Sequence, residues 1–559
     1  MASDDPIQTE SGASERLPLL RQDDRDTEDQ PAKPNRIINH DDVLSSATRS
    51  LTTIGMCLLL IILLDIGLSL LSTGLLQVQE DIVCQKLIHD DPEQQRDCKD
   101  KNVQTELSII QSWQVVFDLL PGLLMAVPIG IIADKYGRSL VLGLSLLGIT
   151  LSYAFSSAVC AFSNIFPLRF VWFSAIFNFI GGGVTGFSAM IFCIAADLST
   201  EEQRSTTFFY LGAVMLGGAV ISNPITYWVM ETFGTWLAIN MGLFLMALTT
   251  VVGFCMPETL KLKQNLSELQ PDGEDDSPIL RPTMTPTATA TATATRHDGT
   301  STINNSYGDV DPALPGTMKG FRLWVTEQIS SGSAEARQFL HIIVKQEPRV
   351  GLLLLCLLLT TFGRNAQVML QQYVVAKFQW SWSKAGLLIS IQALVSLLLL
   401  VLILPAIAQL LLRILSSRDS HTAAQVKDLW LARSSILVQV LGALIIGFAA
   451  SPGVLIPGVV LQALGSGFNP LVRGIITNLL EGTKNNGDDN DGSGRVEILG
   501  LLYSVIAFIE TAGSMVAAPL LAVAFRTGLE LGRSWMGLPF MVAAGLFGCA
   551  LVIVGCVKA

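Results

Sequence analysis

The sequence predicts an all-α membrane protein in which twelve transmembrane helices form two six-helix bundles. Half of the 559 residues are hydrophobic and only 15% are charged, whereas soluble proteins carry about 25% charged residues. Apolar stretches long enough to cross a bilayer recur along the chain in two groups of six. Between the groups lies a polar stretch with a Thr-Ala repeat, a composition typical of a flexible linker.

Polar segments divide the chain into four parts. Residues 1–50 are acidic and show no apolar period, so we predict a disordered tail. The predicted order is then an N-terminal six-helix bundle (51–259), a disordered linker (260–345) and a C-terminal six-helix bundle (346–559). In the tail, Glu15 to Leu20 fits the acidic dileucine sorting pattern, which favours a vacuolar membrane, although so short a pattern also arises by chance.

A charged turn bounded by glycines separates the second and third spans. From Gly130 to Arg138 it reads Gly-Ile-Ile-Ala-Asp-Lys-Tyr-Gly-Arg. We expect the turn to lie in water, because ionised groups are costly at bilayer depth. Gly130 allows helices to approach closely and Gly137 permits a tight reversal, while Asp134 and Arg138 can pair with neighbouring helix ends. The turn is predicted to act as a cytosolic gate motif.

This turn resembles the signature of the major facilitator superfamily, Gly-x-x-x-Asp-[Arg/Lys]-x-Gly-Arg-[Arg/Lys], as far as Arg138; Ser139 stands where a second base is usual. Pro257-Glu258-Thr259 is similar to the end of the first half in sugar- and drug-type members. Trp380-Ser381-Trp382 and the cysteine-bearing first loop resemble a fungal branch related to drug-proton antiporters.

The resemblance implies the major facilitator fold and alternating access around a central site near the membrane midplane. It implies a small-molecule substrate and a proton as partners, in a protein that we expect to be a monomer. The resemblance favours the plasma membrane, and the dileucine pattern of the tail favours the vacuolar membrane about equally. Lysine and arginine near the span ends are roughly twice as frequent on one side, which predicts that both termini are cytosolic.

Two cysteines lie together in the predicted first loop, residues 77–104, whereas the others fall in apolar segments. The orientation places this loop outside the cytosol. Cys84 and Cys98 therefore predict a disulfide in an oxidising compartment, with two unrelated thiols as the alternative.

Ionisable residues within spans are rare and costly, so each is a functional candidate. Asp65, Arg364 and Glu510 fall in the first, seventh and eleventh spans. A carboxylate partly removed from water binds a proton more readily, so Asp65 and Glu510 are candidates for proton coupling. The alternative is a static buried ion pair between Arg364 and one of the two carboxylates.

Other polar residues within spans are candidates for the substrate cavity or for contacts between helices. Besides Arg364, the cavity candidates are Asn365, Asn178, Gln392 and Asn469. Arg473 lies towards the inner end of its span, and we interpret it as an interfacial anchor. Asp118 is placed nearer the outer end of the second span.

The direction of transport stays open. The fifth span keeps Gly217, Gly218 and Pro224 of an antiporter-associated motif, but Asn223 replaces the glycine before the proline. Proton-coupled efflux of a natural product or xenobiotic is the first hypothesis. Proton-coupled uptake or vacuolar exit of an organic anion is the second, since Arg364 would fit an anionic group.

The sequence does not indicate an enzyme. It contains no His-Glu-x-x-His, no phosphate-binding Gly-x-x-x-x-Gly-Lys-[Ser/Thr] and no Gly-x-Ser-x-Gly. We therefore expect no cofactor, no metal site and no ATP-driven pump. The sequence shows no basic surface of the kind that binds nucleic acid, so we expect no nucleic-acid partner. A sensor that binds a solute without moving it is a further alternative.

Overall fold

The computed structural model describes residues 40–90, 98–199, 201–258, 348–414, 420–484 and 492–557. These residues form helices and no strand. Twelve stretches among them are long and apolar enough to cross a membrane, as predicted. The tail with its dileucine pattern and the linker 260–345 lie outside the described residues.

Spans are numbered here in chain order. In the first half they are span 1 (His40–Asp90), span 2 (Lys101–Tyr136), span 3 (Arg138–Ala161), span 4 (Leu168–Leu198), span 5 (Glu201–Phe233) and span 6 (Thr235–Phe254). In the second half they are span 7 (Pro348–Phe378), span 8 (Trp382–Ile414), span 9 (Ser420–Phe448), span 10 (Pro452–Lys484), span 11 (Gly492–Leu531) and span 12 (Leu538–Cys556).

Several spans change helix type near their middle. Span 4 is a 3-10 helix over Leu168–Ile180 and an α-helix over Gly183–Leu198. Gly182 joins the two with a φ of 76°, a backbone conformation that a larger residue adopts only with strain. Span 7 is interrupted by a 3-10 turn at Ala366–Met369, and span 10 by another at Gly465–Gly467. Spans interrupted at mid-membrane often form substrate sites in transporters.

The first span is longer than the sequence predicts. The predicted loop began at residue 77, but the helix continues to Asp90. Val78, Ile82 and Val83 explain the difference, because they lie at helical spacing and are buried in the apolar core of the first half. Cys84 therefore lies on the helix, and the structure bonds it to Cys98 as a disulfide just before span 2.

Each half has its own apolar core. One large buried cluster consists of residues from spans 1–6, and another of residues from spans 7–12 together with Leu107 of span 2. The halves pack against each other through span 8 on span 5 and span 11 on span 2. On this basis we propose residues 51–259 and 346–559 as the two bundles. We call the side with Gly137 the turn face and the side with Cys84 the disulfide face.

Candidate transport site

Asp65 lies in span 1 directly against the backbone of span 5. A Cβ atom at Gly218 would collide with the Oδ2 atom of Asp65, so only glycine leaves room for this carboxylate. Oδ2 is shielded from solvent and has no hydrogen-bond partner among the described residues. Asp65 is half-buried, and a shielded carboxylate oxygen without such a partner makes its charged form costly.

Polar contacts continue along the same side of span 1. One turn after Asp65, the Ser69 hydroxyl donates to Oδ1 of Asn223 at 3.1 Å and accepts from Thr226 Oγ1 at 2.9 Å. Asn223, which departs from the antiporter-associated motif, therefore joins spans 1 and 5. On the other side of span 5, the Ser390 hydroxyl of span 8 donates to the Ala219 carbonyl at 3.1 Å. Asp65 thus lies one residue of span 5 away from a contact between the halves.

A second carboxylate of the first half lies near the middle of span 2. Asp118 is half-buried and accepts a long 3.4 Å hydrogen bond from Nδ2 of Asn178 in span 4. We predicted that Asp118 lies nearer the outer end of span 2. The helix begins earlier than predicted, at Lys101, and therefore Asp118 lies near its middle. The contact links Asn178 to a carboxylate.

Three charged side chains from three spans meet in the second half. Arg473 of span 10 donates from Nη2 to Oε2 of Glu510 in span 11 at 2.5 Å. Arg364 of span 7 donates to the other oxygen, Oε1, at 3.5 Å. The first is a short charge-assisted bond, whereas the second is at the limit of hydrogen-bond length. Glu510 is therefore bound mainly to Arg473.

The other cavity candidates divide into two groups. With its amide oxygen turned towards the guanidinium, Asn469 of span 10 accepts from Nη1 and Nη2 of Arg364, at 2.9 Å each. Asn365 instead donates to Ser514 of span 11 at 3.1 Å, a contact between helices. Gln392 is hydrogen-bonded to Gln367, likewise between spans. Only Asn469 joins the charged group.

Arg473, which we interpreted from the sequence as an interfacial anchor, forms an ion pair with a neighbouring span. It lies about three turns before the end of its helix at Lys484, and its partner is Glu510. The sequence did not indicate this role, because Arg473 precedes a polar loop by only a few residues. The helix extends further into that segment than predicted, to Lys484. The signal that could have found it is the need of a mid-span Glu510 for a nearby cation.

Hydrogen bonds close the disulfide face between the two halves. Nε1 of Trp382, at the start of span 8, donates to Oε2 of Glu80 in span 1 at 2.7 Å. Gln104 of span 2 donates to Oε1 of the same Glu80, and Nε2 of Gln372 in span 7 donates to the Gln104 carbonyl at 2.8 Å. All four side chains are buried. We call Glu80, Gln104, Gln372 and Trp382 the disulfide-face gate.

Further contacts on this face join the same halves. Glu231 at the end of span 5 accepts from the Ser381 and Ser383 hydroxyls, at 3.0 and 2.6 Å. Lys99 donates to the Trp380 carbonyl. Within the described part of the chain, the hydrogen bonds between halves lie on this face and, at Ser390, deeper in the membrane. The described state is thus closed at the disulfide face.

The gate gives a first prediction. Replacing Trp382 by Phe keeps an aromatic ring but removes the donor to Glu80, so this face should open more often. A hydrogen bond to a charged group contributes about 1.5–3 kcal/mol, which corresponds to at least about a tenfold larger open population. A cysteine at Thr73 reports the opening, because it becomes accessible to solvent when the gate parts. Thr73 is buried, about two turns below Glu80 and beside Gly386.

The measurement is the rate at which a membrane-impermeant thiol reagent, applied from the disulfide face, labels Thr73→Cys. The chain with threonine at this position gives the background from the native cysteines. Trp535→Phe is the control, since Trp535 is an exposed tryptophan near the same face. Equal labelling rates with and without Trp382→Phe would show that this bond does not hold the gate closed.

At the turn face, Gly137 reverses the chain between spans 2 and 3. Its φ is 109°, its amide donates to the Ala133 carbonyl at 3.0 Å, and a Cβ there would collide with the Glu258 carboxylate. Gly130 lies within span 2 and Asp134 is exposed near its end. The reversal therefore depends on glycine for both conformation and space.

Arg138 joins this turn to the ends of two other spans. Its Nη1 atom pairs with Asp197 at the end of span 4 and donates to the Cys193 carbonyl at 2.7 Å. Glu258 accepts from the backbone amides of Arg138 and Ser139, at 3.2 and 3.3 Å. A carboxylate at this position stabilises the start of span 3, where the helix dipole is positive. These contacts all lie within the first half.

Comparisons with known proteins agree with this architecture. Residues 57–483 match the model of the Major Facilitator Superfamily. The chain is 29% identical to the MFS efflux pump atnC of Emericella nidulans over 510 residues, 89% of this chain and 86% of the relative. It is 26% identical to the efflux pump ustT of Aspergillus flavus, over 81% of this chain and 77% of that protein.

Among solved structures, the nucleoside transporter NupG has a similar fold. The match covers 89% of this chain and 99% of that chain, with a TM-score of 0.51 and 10% sequence identity. At this identity the likeness concerns the fold alone.

Proposed function

Because the chain belongs to the Major Facilitator Superfamily, we propose that it exports a small organic molecule by alternating access, driven by a proton gradient. The family and the relatives are those of transporters, so the chain is a multi-pass membrane transporter and not an enzyme. The cargo that we propose is a natural product or xenobiotic. We further propose that the turn face and both termini lie in the cytosol, at the plasma membrane or the vacuolar membrane.

The names of the relatives support export. Two of them, from Emericella nidulans and Aspergillus flavus, are efflux pumps at 29% and 26% identity. Both matches extend over most of the chain, so they include both halves.

The observation that carries proton coupling is the environment of Asp65. Its Oδ2 atom is buried with no hydrogen-bond partner among the described residues. Glu510, the other candidate, is instead paired with two arginines. Taking up a proton removes the cost of a buried charge at Asp65, whereas at Glu510 it would also break ion pairs. We therefore propose Asp65 as the principal proton carrier and Glu510 as a residue of the substrate site.

The contacts around Asp65 suggest how the proton is coupled to movement. Asp65 fits against Gly218, and the next residue, Ala219, accepts the hydrogen bond from Ser390 of the second half. A change of charge at Asp65 therefore acts on the segment of span 5 that contacts span 8. In the proposed cycle, the described state is the one closed on the side away from the cytosol.

A second function is favoured by Arg364 and Arg473. Two guanidinium groups beside one carboxylate suit an anionic solute, which fits proton-coupled uptake or vacuolar exit of an organic anion. Direction distinguishes the two functions, because both use the same fold.

The test uses purified protein in liposomes with an imposed pH gradient and a pH-sensitive dye inside. We expect a compound from a panel of apolar drugs and organic anions to dissipate the gradient, and to accumulate on the side from which protons leave. Movement of the compound together with protons would favour the second function. If compounds bind but no proton moves, the protein is a uniporter or a sensor and the proposed coupling is wrong.

A further inference from the structure

The guanidinium group of Arg364 carries more charge than its surroundings compensate. Its ion pair with Glu510 is 3.5 Å long, while Glu510 is held at 2.5 Å by Arg473. The remaining contacts of Arg364 are neutral: Thr361 at 3.3 Å and the Asn469 amide. Among the described residues, one carboxylate thus faces two arginines, which leaves an excess of one positive charge at this place.

A solute can reach this excess charge. Arg364, Arg473 and Glu510 come from three different spans and meet each other in the second half. Their side chains nevertheless retain 43%, 38% and 20% of their exposure. A guanidinium at mid-span that is neither buried nor fully paired has free donors for a ligand.

Helix interruptions place these donors. Arg364 comes two residues before the 3-10 turn Ala366–Met369 in span 7, and Asn469 follows the turn Gly465–Gly467 in span 10. Both interruptions lie within the membrane-spanning part, where irregular backbone is tolerated when it lines a cavity. Arg364 and its partner Asn469 therefore lie beside the two points where spans 7 and 10 are irregular.

We infer that Arg364, oriented by the amide oxygen of Asn469, forms a binding site for the carboxylate of an organic anion, and that Arg473 holds Glu510 so that it contacts Arg364 only weakly. This inference deepens the proposed function and rests on transport of a small organic molecule, but not on its direction or on protons. The carboxylate binds the Arg364 guanidinium in place of the weak contact with Glu510. Arg473 is a positioning residue, since it acts through Glu510.

The test compares matched acids and amides. Binding of three pairs is measured by titration calorimetry with the full-length protein in a neutral detergent: 1-naphthylacetate and 1-naphthylacetamide, indole-3-acetate and indole-3-acetamide, 4-phenylbenzoate and 4-phenylbenzamide. The members of a pair have nearly the same shape and differ in charge. We expect at least one acid to bind about tenfold or more tightly than its amide.

Three variants should change this preference in different directions. Arg364→Gln should weaken binding of the acid about ten- to a hundredfold and leave the amide unchanged. Arg473→Gln should also weaken the acid, because Glu510 is then free to pair with Arg364. Glu510→Gln should strengthen the acid, since it removes the competing carboxylate. A purely structural role for these residues would not produce opposite signs.

The control is Arg526→Gln, on the same span as Glu510, because Arg526 is exposed and pairs with Glu530 at 3.0 Å. It should leave the acid preference unchanged. Elution volume and melting temperature establish that each variant is folded. If Arg364→Gln is not folded, Arg364→Lys replaces it: lysine keeps the charge but lacks the planar fork of donors, so binding of the acid should still weaken, although less.

Three outcomes would overturn the inference. None of the three acids binds, the acid and the amide of each pair bind equally well, or the preference for the acid is the same with and without Arg364→Gln. A preference for the acid without proton movement in liposomes would support this site and refute the proton coupling. Proton movement without a preference for the acid would support the coupling and refute this site.

Discussion

Asp65→Asn is expected to abolish transport driven by a pH gradient while leaving exchange of the substrate intact. The amide has nearly the shape of the carboxylate, so it fits against Gly218, where a Cβ atom would already collide. It cannot take up and release a proton. In liposomes, the variant should show no accumulation of the compound, but labelled compound should still exchange across the membrane at equal pH on both sides.

The matched control is Glu106→Gln. Glu106 is also a carboxylate of the first half, but it pairs with the exposed Arg169 at 2.8 Å near the disulfide face. This variant should keep gradient-driven transport. Full accumulation by Asp65→Asn would exclude Asp65 as the proton carrier, and loss of both accumulation and exchange would assign it to substrate binding or folding instead.

Arg138→Gln is expected to cause the largest loss of stability among the variants considered. Arg138 and Asp197 are nearly buried, with side-chain exposures of 12% and 2%, and they join the start of span 3 to the end of span 4. Removing one partner of a buried ion pair costs about 3–5 kcal/mol, and here Asp197 loses the guanidinium that it contacts. The melting temperature in detergent should fall by several degrees, about 2 °C or more per kcal/mol.

The double variant Arg138→Met/Asp197→Leu should recover much of this loss, since replacing both charges by apolar groups is often close to neutral. Arg526→Gln breaks an exposed ion pair and should change stability by less than about 1 kcal/mol. A melting temperature unaffected by Arg138→Gln would show that the bond to Asp197 contributes little.

The twelve spans could be predicted because apolar length and the breaks between spans are local properties. The ends of span 1 could not, since Val78 and Ile82 are recognised as part of a helix only through the core that they enter. The interruption at Gly182 lies in a run of glycines but was not predicted, because its position depends on packing: a Cβ at Gly181 would collide with the backbone of Ser145 in span 3.

For the site, the sequence indicated which residues were costly but not which would meet. Arg364 and Glu510 were singled out as charges within spans, and pairing between them was one of two alternatives. The structure shows the pair, together with Arg473, because contacts between spans 7, 10 and 11 are set by tertiary packing. Glu80 was missed for the same reason: a glutamate at a span end is unremarkable until Trp382 of the other half donates to it.

The disulfide has a mechanical consequence for the gate. Cys84 comes one turn after Glu80, and Cys98 precedes Gln104 by less than two turns, so the disulfide ties spans 1 and 2 together beside both first-half members of the gate. The bond therefore limits how far Glu80 and Gln104 can move apart. We expect opening to separate this pair from Trp382 and Gln372, at the boundary between the halves.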